Sequence, residues 1–74
     1  MAHGQINFDW YAFGKAVAAW RAERGLSLRE CPWDKSAVWR VEAGYSISAP
    51  TLVAIADAIG ETNLAKYLIR AAAA

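Results

Sequence analysis

Lys35, Ser36, Trp39 and Arg40 are spaced i, i+1, i+4 and i+5, which puts them on one side of a helix if the segment carrying them is helical. Residues 34–43 form such a segment. Asp34 can accept a hydrogen bond from a free amide of the first turn, and Gly44 ends the run. Ala37, Val38 and Val41 make the opposite, inward stripe. The outward side chains suit recognition rather than bond-breaking. Arg40 offers two parallel N–H groups that match O6 and N7 of a guanine, and Lys35 can reach guanine or a phosphate. Ser36 is small and tolerant, and Trp39 can press on a thymine methyl or a sugar. A helix carrying such residues fits the major groove of DNA. Around it, Arg29 and the hydroxyls of Tyr45, Ser46 and Ser48 suit backbone contacts, which hold register without reading sequence. Blander roles stay open: a solvated helix face for Lys35 and Arg40, caps for the hydroxyls, and a protein contact or burial for Trp39. Asp34 is discordant, because a carboxylate at this helix start repels phosphate unless it caps or accepts from a cytosine amino group.

Other chemistries are poorly provided for. The chain has one histidine, His3, and one cysteine, Cys31, with no evident base beside it in sequence. No catalytic residues, metal site or cofactor are expected, and the chain is not expected to be an enzyme. Cys31 reads as a small core residue, and a single cysteine makes no disulfide within the chain, which fits a cytoplasmic, nucleoid-associated setting. There is no run of eighteen apolar residues, so no membrane span is expected. The start lacks a basic region followed by an apolar stretch, so no signal peptide is expected. The net charge of +1 is low for a nucleic-acid binder. Between residues 15 and 40, however, six basic residues face three acidic ones.

Seventy-four residues make one domain, 1–74, and a domain of this size is only marginally stable. Hydrophobic residues form 57% of it, enough to fill a core and leave some apolar surface for a partner. Residues 1–7 read as a flexible tail. The first helix is expected over 7–24, capped by Asn7, buried through Trp10, Phe13, Val17 and Trp20, and stopped at Gly25. Ser27 and Glu30 form a capping box, but Pro32 limits the second helix to about one turn. After the segment 34–43, a fourth helix is expected over 48–59. It carries Pro50 in its first turn, Leu52, Ile55, Ala56 and Ile59 on one face, and Gly60 at its end. A fifth is expected over 62–74, with Leu64, Tyr67, Leu68 and Ala71 on its apolar side. No strand pattern stands out. The expected architecture is all-α, a compact domain of five helices.

Three stretches in order resemble the lambda-repressor/Cro (XRE-type) helix-turn-helix family. Phe13 to Ser27 is similar to the family's first helix and turn. Val38-Trp39-Arg40-Val41-Glu42-Ala43-Gly44 resembles the end of its recognition helix, and Ser48 to Gly60 resembles the helix that follows. The resemblance covers residues 13–60 and implies an ion pair between Arg21 and Glu42. It also marks two departures. Family members have about four more residues between the Leu-Ser turn and the glutamate, a gap bridged here by Cys31-Pro32-Trp33, with Trp33 expected to fill the hole. Leu28 stands where the family often has a DNA-contacting glutamine.

The resemblance implies a sequence-specific DNA-binding transcriptional regulator, a phage or prophage repressor acting as a homodimer on an inverted repeat in double-stranded DNA. Leu64, Tyr67 and Leu68, with Phe8 and Tyr11, are the candidate dimer surface, with a place in the chain's own core as the open alternative for each. The competing expectation is a protein-interaction module on the same scaffold, docking on another regulatory protein. Leu28, Trp39, Asp34 and the low net charge suit it.

Overall fold

The computed structural model describes residues 6–70. In chain order they form strand β1 (Ile6–Phe8), helix α1 (Trp10–Arg24), a 3-10 turn (Leu28–Glu30), helix α2 (Lys35–Glu42), helix α3 (Ala49–Ile59), a second 3-10 turn (Leu64–Tyr67) and strand β2 (Leu68–Arg70). The expectation of five helices in an all-α domain is therefore wrong. Among the described residues there are three α-helices, two 3-10 turns and a two-stranded antiparallel sheet pairing Ile6 with Arg70, Asn7 with Ile69 and Phe8 with Leu68.

The corrections lie at the two ends of the chain. Residues 6 and 7, placed in a flexible tail, belong to β1, while 1–5 lie outside the described residues. The helix expected from Asn7 starts at Trp10, capped by the Asp9 carboxylate, which accepts from the Ala12 amide at 3.0 Å. The helix expected over 62–74 is a single 3-10 turn followed by β2, and 71–74 lie outside the described residues. Each strand is completed by the other. The Asp9 amide donates to the Tyr67 carbonyl at 2.6 Å, extending the ladder to the start of α1.

The core lies between the three helices and the inner side of this ribbon. Phe13 and Val17 of α1, Val38 and Val41 of α2, and Ile55 and Ala56 of α3 are buried, joined by Cys31 and Tyr67. Trp10, Trp20, Leu52 and Ile59 pack against this cluster half-buried, so the apolar stripes of all three helices point inward. Gly14 sits where α1 crosses α2. A Cβ there would run into the Val41 carbonyl, so the absence of a side chain sets how closely these helices approach. Gly25 and Gly60 end α1 and α3 at φ 63° and 81°, left-handed values at which glycine carries no Cβ penalty.

The short connection from α1 to α2 packs without the missing turn. Ser27 to Glu30 makes one tight turn, in which the Ser27 amide donates to the Glu30 carboxylate at 2.7 Å. Cys31 then drops into the core, and the half-buried Trp33 ring lies 5.5 Å from that of Trp20. Arg24 covers the same Trp20 ring at 4.6 Å.

Candidate nucleic-acid interface

Helix α2 is positioned on three sides. Val38 and Val41 anchor it in the core, and the Asp34 carboxylate accepts from the Ala37 amide at 3.2 Å. That bond gives Asp34 a local role as cap, which accounts for a carboxylate at this place. At the other end Glu42 is gripped by Arg21 of α1. Nε donates to Oε2 at 2.8 Å and Nη2 to Oε1 at 2.7 Å, and Nη1 reaches the Leu26 carbonyl at 3.1 Å. Glu42 holds the Arg21 guanidinium in its charged form, pushing its pKa above the ordinary value.

With that side fixed, Lys35, Ser36, Trp39 and Arg40 all lie exposed on the other. Together with Leu28 from the 3-10 turn they line an open groove of about 480 Å³. Trp39 is 55% exposed and its ring lies near-parallel to that of Tyr45, 6.3 Å between centroids with 23° between planes. Arg40 leans away from the helix toward the following loop. Its Nε and Nη2 each donate to the Ser46 carbonyl at 3.4 Å, and its guanidinium stands 5.5 Å over the Tyr45 ring. These long bonds hold the side chain near the groove while leaving it free to exchange them for better acceptors.

The backbone-contact candidates are placed unequally. Tyr45 and the Ser46 carbonyl join the Trp39–Arg40 cluster. Arg29 is exposed on the turn beside Leu28. The exposed Ser48 precedes α3, and its hydroxyl donates to Thr51 Oγ1 at 2.9 Å and does not accept from a helix amide. Of the local basic excess, Arg21 has its charge paired with Glu42, whereas Arg24 over Trp20 and Lys15, 4.8 Å from the Tyr11 ring, keep theirs.

The candidate dimer residues are not all exposed. Tyr67 is core, 8% exposed, with its ring edge-on to Phe13 at 5.4 Å and 5.7 Å from Phe8. Phe8 and Leu64 pack half-buried against that core, Tyr11 is exposed on α1, and Leu68 is exposed on β2. Burial of Tyr67 follows from the chain turning into a strand after it, which removes the helical face that would have shown it outward.

Two features were missed in the sequence: the Trp39–Tyr45 stack with Arg40 beside it, and Leu28 as a wall of the groove. The six-residue step from Trp39 to Tyr45 crosses a helix end, where no periodicity operates. Among the described residues there is no cluster of histidine, cysteine or acidic side chains that could hold a metal, and no helix long and apolar enough to cross a membrane. No family model, curated protein or solved structure matches the chain.

Proposed function

We propose that this chain is a sequence-reading DNA-binding regulator of transcription of the lambda-repressor/Cro type, a phage or prophage repressor that acts as a dimer on an inverted repeat in the cytoplasm, at the nucleoid. One observation carries the reading. Lys35, Ser36, Trp39 and Arg40 are all exposed along one side of α2, while Val38 and Val41 lock its other side into the core. A recognition helix needs that combination, because base-edge contacts require side chains held in place by a rigid element. Arg40 and Lys35 read or neutralise acceptors, and Arg29, Tyr45, Ser46 and Ser48 flank them for sugar-phosphate contacts.

With a net charge of +1, the phosphate contribution is modest, so one protomer binds weakly and two together bind usefully. Dimer symmetry sets two recognition helices about 34 Å apart. Leu68 and Ile69 on β2 and Tyr11 on α1 are exposed apolar residues available to such a contact.

A second reading, docking on another regulatory protein, draws on the exposed Trp39–Tyr45 pair and Leu28, since aromatic side chains are favoured anchors at protein interfaces. Selection of bound fragments from a random pool of double-stranded DNA separates the two. The DNA reading expects an enriched inverted repeat, weakened by about 1–3 kcal/mol in Arg40→Ala. No enrichment at low salt overturns it and leaves the protein-docking reading.

A further inference from the structure

The groove along α2 is more apolar than a phosphate-binding surface requires. Leu28 and the Trp39 ring are its apolar lining, and Lys35, Ser36 and Arg40 complete it. Leu28 has no polar side-chain atom, and an indole has one N–H donor and no acceptor. Neither can make the paired hydrogen bonds that distinguish guanine or adenine. Among the groups that the four bases present in the major groove, the apolar one is the C5-methyl of thymine. The charge around the apolar strip agrees with a DNA occupant, because the groove's charged lining residues, Lys35 and Arg40, are both cations. The Trp39 ring is also held in advance. Tyr45 lies near-parallel to it at 6.3 Å, which limits its rotamers before a partner arrives and lowers the cost of ordering it.

We infer that Trp39, with Tyr45 beside it and Leu28 lining the same groove, packs on the C5-methyl of a thymine neighbouring the base pair that Arg40 reads, and so selects thymine at that position. The inference rests on the proposed DNA-binding function and specifies which base the groove takes. Trp39 and Arg40 are consecutive on the helix, so their side chains diverge by about 100° and meet different base pairs. Arg40 supplies the hydrogen-bonded contact and Trp39 the apolar one. The methyl contact discriminates thymine from uracil, which has the same hydrogen-bonding edge without the methyl.

The test uses the full chain and duplexes carrying the selected sequence, with each thymine replaced singly by deoxyuridine. Affinity is read by fluorescence anisotropy. Burying one methyl corresponds to about a fourfold change in Kd. The expected result is a loss of about fourfold at one position in each half-site, absent in Trp39→Ala and retained in part in Trp39→Phe, which keeps an aromatic plate. Circular dichroism checks that both variants fold. Equal affinity for thymine and uracil at every position, with Arg40→Ala still weakening binding, overturns the methyl contact and leaves the DNA-reading function standing. A uracil effect that persists unchanged in Trp39→Ala overturns the assignment to Trp39. Failure to enrich any sequence overturns the proposed function and this inference with it.

Discussion

Arg21 of α1 holds Glu42 at the end of α2 through two parallel hydrogen bonds, 2.8 Å from Nε to Oε2 and 2.7 Å from Nη2 to Oε1. The side chains are 27% and 15% exposed, between a surface pair of little worth and a fully buried one. Because Arg21 also donates to the Leu26 carbonyl, one side chain ties α1 to both the turn that follows it and the exposed helix.

Removing that link has a definite expected outcome. Arg21→Ala leaves the Glu42 carboxylate short of its donors and lowers stability by about 1–3 kcal/mol. Arg21→Lys keeps the charge but not the two-pronged geometry and loses an intermediate amount. Urea denaturation of both variants, with Glu42→Gln completing a double-mutant cycle, reads the coupling directly. Strict additivity would show that the pair contributes nothing of its own.

Gly14→Ala adds one methyl group where α1 meets the Val41 carbonyl. Elsewhere in an exposed helix the same change is stabilising, since alanine is the better helix former. Here the crowding dominates, and overpacking of this kind costs about 1–3 kcal/mol or more. A melting temperature equal to or above that of the parent chain would contradict the close crossing of the two helices.

These contacts separate what was legible in the sequence from what was not. The helices α1, α2 and α3, their caps at Asp34, Gly25 and Gly60, and their inward stripes follow from local periodicity and capping chemistry, which act within a few residues. The exposed set on α2 was legible for the same reason. The β1·β2 ribbon was not. Each strand has three residues, too few to show alternation, and they pair across 60 to 64 residues of chain. Leu64, Tyr67 and Leu68 carry helical spacing, yet tertiary pairing of β2 with β1 overrides it and buries Tyr67 against Phe8 and Phe13. Gly14 did carry a signal, since a glycine inside a helical pattern often marks close packing. Its neighbour, Val41, is distant in sequence and needed the fold to identify it.

Acid should weaken the fold through two of its carboxylates, Glu30 and Glu61. The Ser27 amide donates to Glu30 and holds its carboxyl below the usual range, and the Lys66 ammonium, 2.6 Å from Glu61, does the same there. A carboxyl whose pKa is lower folded than unfolded contributes stability that is complete above the unfolded value, about 4.3, and is lost as pH falls through the folded value. The melting temperature is therefore expected to hold from pH 7 to about pH 5 and to decline below about pH 4. Glu30→Gln, which can still accept from the Ser27 amide, should flatten part of that decline. An identical acid profile for parent and variant would show that this turn plays no part in it.

Cys31 should be slow to react. It is buried in the core, with its thiol directed at the Ser27 carbonyl 3.6 Å away, and burial pushes its pKa up. The thiolate is the nucleophile, so iodoacetamide at neutral pH is expected to leave the folded protein largely unmodified and to label it fully in denaturant. Rapid labelling without denaturant would mean that the bridge between the first 3-10 turn and α2 opens readily.

The most direct test of the central claim, that the outward side of α2 meets DNA, is a titration of isotopically labelled protein with a selected duplex, followed by amide chemical shifts. The expected perturbations fall on Lys35 to Arg40, on Arg29 and on Tyr45 to Ser48, with the indole N–H of Trp39 among the largest. Salt should weaken them all together. Perturbations confined to exposed residues of α3 and β2, such as Val53, Leu68 and Ile69, or no perturbation at low salt, would contradict it.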